Sequence, residues 1–444
     1  MSTSIPPLRI VYWTLLFNEP WNNGNDLAVD CRRPEGMLSN DLGDDGWCMV
    51  TGKKSDIETA AAVVFHAGDY NDRNLPERTP LQPWILLTME SPMHPTFRSD
   101  PGAMKTFDYL ASYHFKSRFL EPYFSPNIMN TVHSRITNDD DILQLKVAKA
   151  PILWIASNCQ AWSGRHHYVK ELAKYIPVDS YGSCVHTKEF PKDKDRLQLM
   201  KEYKFYLAIE NSNCDDYVTE KLFDTFASST VPIVDGPASY QGFIPSTRSV
   251  IRMDAYPDPR ELADYIRYLD GNDTAYIQYF NFRRDNVQSL LPKEEQLEPS
   301  FLSNWSSWDV YNSRAGWCSI CQGIAPWWRA RRDPSFKVVN DTSEYLRADQ
   351  SCLPAGKWDY VQRGPPYIPN WKPSQADEFT RPWVKKRVPI YSLGQDNGRG
   401  DVSIRGVWLA YSVLYLLFFA FILFLLRRRH YLNNARAPPT CMLS

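Results

Sequence analysis

The chain has 444 residues, of which 43% are hydrophobic and 14% aromatic, and this length and composition predict two domains with full cores plus appendages. Its 50 lysine and arginine residues nearly balance its 51 aspartate and glutamate residues. The formal net charge of −1 therefore does not indicate a nucleic-acid or anionic-polymer partner.

Short apolar runs bounded by polar turns mark the first part of the chain. Leu8–Trp13, Ala61–Phe65 and Trp84–Met89 each predict a buried strand, and together they favour a mostly parallel sheet. Glu90 follows the third strand, at the carboxyl end, where open α/β sheets place their ligand contacts. A carboxylate there could act as the general base in a transfer to a hydroxyl group. The alternative is that Glu90 caps a helix or turn before Pro92.

A charged segment from Thr137 to Lys149 separates this part from a second series of elements. It contains the run Asp139–Asp141, whose D-x-D spacing is the one that metal-dependent transferases use for manganese. No strand precedes the run, so a solvated linker is the preferred interpretation.

The second series opens with the strand Ile152–Ala156 and the helix Arg165–Tyr175. Arg165 stands at the start of the predicted helix, where its guanidinium could offer two directed donors to a diphosphate. A surface arginine is the default interpretation of such a position.

The segment from Tyr203 to Pro237 predicts a βαβ unit. The N-terminus of the helix in such a unit is a ready site for an anion, and Glu220 and Lys221 lie in its first turn. An ordinary βαβ unit with a solvated turn is the alternative. The predicted elements are the strand Phe205–Ile209, the loop Glu210–Asp216, a helix starting near Tyr217 and the strand Val231–Val234.

After residue 255 the sequence predicts, in order, a helical region, a stem and a membrane span. Tyr256–Leu269 predicts an amphipathic helix, and Asn272–Leu290 continues the helical region. Lys337–Arg405 is rich in proline, tryptophan and charge and predicts a stem. Val407–Leu426 has twenty residues without a charge and predicts a membrane span. Arg427–Arg429 follow it, which by the positive-inside rule places the tail in the cytosol and the bulk of the chain in a secretory lumen.

Other features bear on the compartment. The opening MSTSIPPLRIVYW shows no signal peptide, which leaves open a missing first exon or insertion by the tail. The tail ends in Cys441-Met-Leu-Ser444, which fits a prenylation pattern, although a chance ending is preferred.

Sequons begin at Asn272, Asn304 and Asn340. Eight cysteines could form disulfides whose connectivity stays open: Cys31, Cys48, Cys159, Cys184, Cys214, Cys318, Cys321 and Cys352.

Three of these motifs together resemble those of the α1,3/4-fucosyltransferases. The segment from Glu210 to Lys221 matches the family pattern E-N-S…D-Y-[IV]-T-E-K, which continues in V-P-[IV]. Two further matches are Met89-Glu90-Ser91-Pro92-Met93-His94 and Ser157-Asn158…Arg165. The resemblance covers about Leu8 to Cys321 and is closest to the divergent branch linked to protein O-fucosylation, with core-fucosylating enzymes still possible.

The resemblance implies a role for each matched residue. Glu90 would be the catalytic base, and Arg165 and Lys221 would hold the diphosphate of GDP-fucose. Glu220 would accept hydrogen bonds from the ribose, and Tyr217 would hydrogen-bond or stack at the nucleotide. The remaining implied roles are a fucose and phosphate pocket for Glu210 and Asn211 and a disulfide role for Cys318 and Cys321.

The predicted fold is α/β of the GT-B type, with two Rossmann-like domains facing a cleft. The predicted ranges are 1–145 for the acceptor domain, 146–330 for the GDP-fucose-binding domain, 331–406 for the stem, 407–426 for the transmembrane helix and 427–444 for the cytosolic tail.

The predicted function is inverting transfer of L-fucose from GDP-fucose to a glycan or glycoprotein, without a metal or cofactor, in a Golgi or endoplasmic reticulum membrane. The alternatives are a metal-dependent GT-A transferase that uses Asp139–Asp141 and an inactive sugar-binding or scaffold protein. Two departures from the family stand out. Ser112-Tyr113-His114 replaces the usual S-Y-R, and the predicted anchor is C-terminal.

Overall fold

The structure, a computed structural model, describes residues 8–31, 47–124, 127–311, 315–338 and 347–374. Its strands are β1 (Leu8–Tyr12), β2 (Leu27–Asp30), β3 (Trp47–Thr51), β4 (Ala62–His66), β5 (Trp84–Thr88), β6 (Tyr109–Ser112), β7 (Phe119–Leu120), β8 (Ile152–Ile155), β9 (Val178–Tyr181), β10 (Phe205–Ile209), β11 (Val231–Asp235) and β12 (Ile251–Arg252). Its α-helices are α1 (Pro101–Met104), α2 (Asn127–His133), α3 (Asp140–Leu143), α4 (Arg165–Leu172), α5 (Arg196–Lys201), α6 (Glu220–Ala227), α7 (Pro259–Asp270), α8 (Asp273–Ile277), α9 (Pro299–Tyr311), α10 (Ala315–Arg332) and α11 (Ala348–Ser351).

The first sheet has seven strands in the order β2-β3-β1-β4-β5-β6-β7. The pairing of β2 with β3 is antiparallel, and the other pairings are parallel. All five residues of β4 are buried, as expected for a parallel strand that is covered on both faces.

The second sheet has five strands, all parallel, in the order β12-β11-β10-β8-β9. Every residue of β10 and β11 is buried. Because the carboxyl ends of parallel strands meet at one edge, the residues that follow β8, β10 and β11 are grouped at the same edge of this sheet.

The predicted α/β class with mostly parallel sheets is confirmed, and the boundaries differ by a few residues. The helix that we expected to start near Tyr217 begins at Glu220, because Thr219 has an extended backbone with φ −106° and ψ −173°. The helix predicted as Tyr256–Leu269 begins at Pro259, where Asp258 accepts a hydrogen bond from the backbone N–H of Arg260.

Helix α10 lies on the first sheet, which corrects our assignment of residues 315–330 to the second domain. It contacts β1, β2 and β7. Disulfides join Cys31 to Cys318 and Cys48 to Cys321, so both cysteines of the C-x-x-C pair lead back to the first sheet. Burial of the apolar side chains of α10 against the strands explains why the chain returns there.

The segment 347–374 packs against the second sheet, which corrects the stem prediction for this part of the chain. Cys352 is bonded to Cys214, and Trp358 is fully buried in the core of the second sheet. Lys357 forms an ion pair with Asp235 at the end of β11. The tryptophan content that contributed to the stem prediction therefore serves packing in residues 347–374.

The predicted membrane span, Val407–Leu426, lies outside the residues that the structure describes, as do the cytosolic tail, Cys441 and Asn340. Within the described ranges, no helix has both the length and the apolar character needed to cross a bilayer.

Replacing Lys357 by methionine is expected to lower the free energy of unfolding by about 3–5 kcal/mol. Its side chain is 4% exposed and its ammonium also lies 3.8 Å from Asp254, so the substitution leaves the Asp235 carboxylate buried without its cation. Urea unfolding measures the loss, with Lys372→Met, an exposed lysine of the same segment, as the control. Equal unfolding midpoints for the two variants would contradict the assignment.

Glu121 is expected to make stability depend on pH. Its Oε1 is buried without a hydrogen-bond partner among the described residues, and burial raises the pKa of the carboxyl from 4.5 to about 8. A Cβ atom at Gly316 would lie 2.0 Å from Glu121 Oε2, so glycine lets α10 come this close. A raised carboxyl pKa contributes stability that is present below the unfolded pKa of about 4.5 and is lost as the pH rises to about 8.

Urea unfolding at about pH 5 and about pH 8 tests this dependence. The wild type is expected to lose about 1–3 kcal/mol more than Glu121→Gln over this interval, because glutamine does not titrate. Glu77→Gln, at an exposed site, serves as the control. The same pH dependence in the wild type and Glu121→Gln would refute the role of Glu121.

Candidate active site

A cavity of about 390 Å³ lies between the two sheets. The second sheet contributes the residues that follow β10 and the start of α6, and the first sheet contributes the ends of β4 and β5 and the loop after β1. The lining residues are Leu16, Phe17, His66, Leu87, Met89, Glu90, Tyr123, Asn211, Tyr217, Thr219, Glu220 and Lys221. Five of the residues predicted for the site therefore line one cavity.

Glu90 is held in place from both sheets. The buried guanidinium of Arg98 donates from Nη1 to the backbone oxygen of Glu90 at 2.6 Å, and the backbone N–H of Glu90 donates to Thr88 Oγ1 at 3.2 Å. From the second sheet, the hydroxyl of Tyr217 donates to Glu90 Oε2 at 3.1 Å. The half-buried carboxylate is thus oriented toward the cavity, where its other oxygen, Oε1, can accept a hydrogen bond from a ligand.

Tyr217 is 2% exposed, and burial raises its pKa well above the usual value. The phenol of Tyr217 keeps its proton at neutral pH and is therefore the donor in its hydrogen bond to Glu90 Oε2. We expected Tyr217 to contact a nucleotide, whereas here its hydroxyl lies on Glu90. Its ring centroid is 4.9 Å from that of Tyr113, so the contact lies in an aromatic cluster between the sheets.

Lys221 and Glu210 form a charged cluster at the start of α6. Lys221 Nζ lies 3.1 Å from Glu210 Oε2 and 3.2 Å from Glu220 Oε1, and it donates to Thr219 Oγ1 at 2.7 Å. Burial raises the pKa of Glu210, and Lys221 opposes this rise. Thr219 donates to Glu210 from both its backbone N–H and its hydroxyl at 2.9 Å. These hydrogen bonds compensate the loss of hydration of the buried carboxylate.

Glu220 is half-buried on the wall of the cavity. Burial raises the pKa of its carboxyl, but Lys221 and Arg196 outweigh this effect, so the pKa lies below the usual value. The ionised carboxylate can accept hydrogen bonds from a ligand in the cavity.

Arg165 is brought close to these residues but does not line the cavity. Its guanidinium is buried and donates to the backbone oxygen of Ile209 at the end of β10. Burial lowers the pKa of Arg165, and Glu210 opposes this decrease. Its Nε has no hydrogen-bond partner among the described residues.

Asn211 lies on the cavity wall and fixes the loop that follows β10. Its backbone oxygen accepts from the N–H of Ser163 at 2.8 Å. The next residue, Ser212, donates through its hydroxyl to Ser91 Oγ at 2.7 Å, which links the two sheets one residue beyond Glu90.

The Asp139–Asp141 run does not reach this cavity. Asp140 and Asp141 are in the first turn of α3, and Asp139 forms an ion pair with Arg284. In the part of the chain that is described, no group of three or more acidic, histidine or cysteine side chains is placed to hold a metal ion.

His114, where the family has arginine, lies 3.3 Å from Asp216 through Nδ1. Burial lowers the pKa of His114, and Asp216 opposes this decrease. Because Asp216 directly precedes Tyr217, this pair links the end of β6 to the loop that carries Tyr217.

The eight predicted cysteines form four disulfides, the remaining one being Cys159–Cys184. Of the two described sequons, Asn272 accepts from the backbone N–H of Ala275 at the start of α8, and Asn304 donates to the backbone oxygen of Gly242 at 3.4 Å.

Three polar residues that line the cavity, Tyr123, Thr219 and His66, were not predicted from the sequence. Tyr123 donates its hydroxyl to the backbone oxygen of Met89 at 2.6 Å, and Thr219 holds Glu210. His66 ends β4, as Glu90 follows β5, so the rule that ligands contact the ends of parallel strands could have identified it. No local pattern marks Tyr123, because its role depends on a contact with Met89.

Two family models match the sequence. One, described as glycosyltransferase family 10 (fucosyltransferase) C-term, matches residues 145–341, and the other, fucosyltransferase N-terminal, matches residues 6–124. Together they include every residue that lines the cavity.

Curated proteins and solved structures are similar to the chain as well. GDP-fucose protein O-fucosyltransferase 3 of Xenopus laevis is 29% identical over 305 residues, which are 64% of each chain. The 4-galactosyl-N-acetylglucosaminide 3-alpha-L-fucosyltransferase 9 of Homo sapiens is 32% identical over 249 residues, 55% of this chain and 66% of that protein. A crystal structure of alpha1,3-fucosyltransferase with GDP-fucose has a TM-score of 0.43 at 18% identity and covers 70% of this chain and 93% of that one. The chain thus spans slightly less than two thirds of the length of these curated relatives.

Proposed function

Because the chain belongs to glycosyltransferase family 10, the fucosyltransferases, we propose that it transfers L-fucose from GDP-fucose to a hydroxyl group of a glycan or glycoprotein. The main support is that Glu90 and Lys221 line the same cavity from opposite sheets. A carboxylate that can take a proton and an ammonium group that can stabilise a leaving diphosphate are thus available to one bound substrate pair.

The donor half of the proposed site is the start of α6 and the loop that follows β10. Lys221 offsets the negative charge that builds on the diphosphate, and the backbone N–H groups at the helix start add to this field. Glu220, ionised at neutral pH, accepts hydrogen bonds from the ribose hydroxyls, and Asn211 and Glu210 shape the pocket for fucose and phosphate.

Arg165 remains a proposed diphosphate ligand. Its guanidinium lies against the end of β10, where the donor loop begins, and its Nε, which has no partner among the described residues, retains a donor for an anion. Tyr217 is proposed to act at the junction of the two halves, because it carries the hydrogen bond from the donor loop to Glu90.

In the proposed step, Glu90 takes the proton of the acceptor hydroxyl. The acceptor oxygen then forms a bond to the anomeric carbon of fucose on the face opposite the diphosphate. The bond between that carbon and the β-phosphate oxygen breaks, and GDP departs with the electron pair, so the anomeric configuration is inverted.

We also propose the finer assignments. Two Rossmann-like halves of the GT-B type, close to 1–145 and 146–330 apart from α10 and the segment 347–374, would enclose the cavity. Val407–Leu426 would anchor the chain in a Golgi or endoplasmic reticulum membrane, with the catalytic part in the lumen. Four disulfides among the described residues support an oxidising compartment.

The test combines the purified protein with labelled GDP-fucose and a panel of acceptors. The panel contains methyl glycosides of galactose and N-acetylglucosamine, free N-glycans and folded disulfide-rich domains, each with and without EDTA. We expect transfer to at least one acceptor, slow release of free fucose without an acceptor, and no loss with EDTA. Absence of both transfer and hydrolysis would refute the function, and loss of activity with EDTA would favour a metal-dependent transferase.

A further inference from the structure

His66 is a buried histidine on the wall of the cavity that the proposed step does not use. It is 4% exposed and ends β4, the strand next to the one that precedes Glu90. It lines the 390 Å³ cavity together with Glu90, and both residues also line an adjoining pocket of about 150 Å³. His66 is therefore positioned on the side of Glu90 that lies away from the donor loop.

Asp69 fixes the orientation of the His66 ring. Its Oδ2 lies 2.5 Å from His66 Nδ1. Burial raises the pKa of Asp69, but the hydrogen bonds from His66, Asn18 and Phe17 outweigh this effect, so the pKa lies below the usual value. An ionised carboxylate can only accept, so Nδ1 is the donor to Asp69, and in the tautomer with its proton on Nδ1 the other nitrogen, Nε2, is an acceptor. The described residues provide no hydrogen-bond partner for Nε2.

The same carboxylate holds a strained turn at the mouth of the cavity. The backbone N–H groups of Phe17 and Asn18 each donate to Asp69 at 2.8 Å, and their φ angles are 53° and 66°. Non-glycine residues rarely adopt this left-handed conformation, and such strain is often found where a ligand is bound. The turn presents the Phe17 side chain, 65% exposed, with its ring centroid 4.8 Å from that of His66.

We propose that His66 contacts the acceptor and that Asp69 is the positioning residue that sets both His66 and the Phe17 turn. The acceptor is a sugar ring whose C–H face, weakly positive, lies on the Phe17 ring. One sugar hydroxyl donates to His66 Nε2, and the neighbouring hydroxyl is the one that Glu90 deprotonates. This inference rests on the proposed function. It adds that the acceptor is a sugar and that it binds in the half of the cavity built by the first sheet.

Two substitutions of His66 separate its two nitrogens. An asparagine side chain reaches the position of Nδ1 and can still donate to Asp69, but it has no atom at Nε2. A glutamine side chain reaches the position of Nε2 and can accept from a sugar. His66→Asn is therefore expected to raise the acceptor KM about tenfold to a hundredfold, and His66→Gln to recover part of this loss. Asp69→Asn is expected to raise the acceptor KM in the same direction.

The experiment measures initial rates of fucose transfer to the best glycan of the acceptor panel and of GDP-fucose hydrolysis in the same preparations. We expect the ratio of transfer to hydrolysis to fall about tenfold or more in His66→Asn. His186→Asn is the control, because His186 also pairs with a carboxylate, Glu189, but is exposed and lies in the loop after β9 of the second sheet.

The outcomes distinguish the inference from the proposed function. An acceptor KM within about twofold of the wild type would overturn the role of His66, and so would a parallel fall of transfer, hydrolysis and GDP affinity, which indicates a purely structural role. Transfer to a peptide hydroxyl without any sugar acceptor would overturn the sugar-ring assignment while leaving the proposed function intact. A wild-type protein without either activity would refute the proposed function and this inference with it.

Discussion

Replacing Glu90 by glutamine is expected to reduce fucose transfer by about 10²–10⁴-fold, the usual contribution of a general base. Glutamine has nearly the same shape and can still accept the hydrogen bond from Tyr217, but it cannot take the proton of the acceptor hydroxyl. The loss should therefore appear in kcat, whereas the affinity for GDP-fucose should stay close to that of the wild type. Steady-state kinetics and calorimetric titration with GDP measure the two quantities.

The control for this substitution is Glu77→Gln, which neutralises an exposed glutamate elsewhere in the first half of the chain. It should leave transfer and GDP binding unchanged. Turnover by Glu90→Gln within about threefold of the wild type would rule out Glu90 as the base. Loss of GDP affinity in proportion to kcat would instead indicate that the substitution disturbs the contact with Tyr217.

Replacing Lys221 by methionine is expected to reduce kcat by about 10²–10³-fold, because the cation that offsets charge on the departing diphosphate is lost. Methionine keeps the apolar stem of the side chain and removes only its charge. Glu210 then lacks its cation at 3.1 Å while remaining 2% exposed, so its pKa, which burial already raises, should rise further. Uptake of a proton by Glu210 would limit the loss of folding stability.

Lys170→Met, at an exposed position on α4, is the matched control for the loss of one positive charge. Kinetic constants are compared with the urea unfolding midpoint of each variant. A loss of kcat without a comparable loss of stability supports a direct role of Lys221 in the departure of GDP. An unchanged kcat would contradict this role of Lys221. A fall in kcat that only reflects unfolding of the variant, as shown by its urea midpoint, would contradict it as well.

The strands and the charged residues at their ends were predictable because both depend on local sequence. Apolar runs such as Phe205–Ile209 are buried on both faces, and that pattern is visible without any knowledge of their neighbours. Glu90, Glu210 and Asn211 follow such runs directly. The family motif then connected three separated segments that periodicity alone could not relate.

The contacts between these segments could not be read from the sequence. Tyr217 is 127 residues from Glu90, and nothing local to it indicates that its hydroxyl donates to that carboxylate. Arg165 stands at a helix start, as predicted, but its guanidinium is directed at the backbone of the neighbouring strand β10. Such a direction depends on how the helix packs on the sheet.

Local sequence was enough to identify the α/β class, the carboxylate at a strand end, the block that carries Lys221, and the family, because each depends on the order of residues along short segments. The disulfide connectivity, the return of α10 to the first sheet and the contacts of Phe17 with His66 and Asp69 beside Glu90 become visible only in the folded chain. These contacts join residues far apart in the chain, so no local pattern marks them. Their energy comes from burial and from the pairing of polar groups across the packed sheets, which no single segment contains.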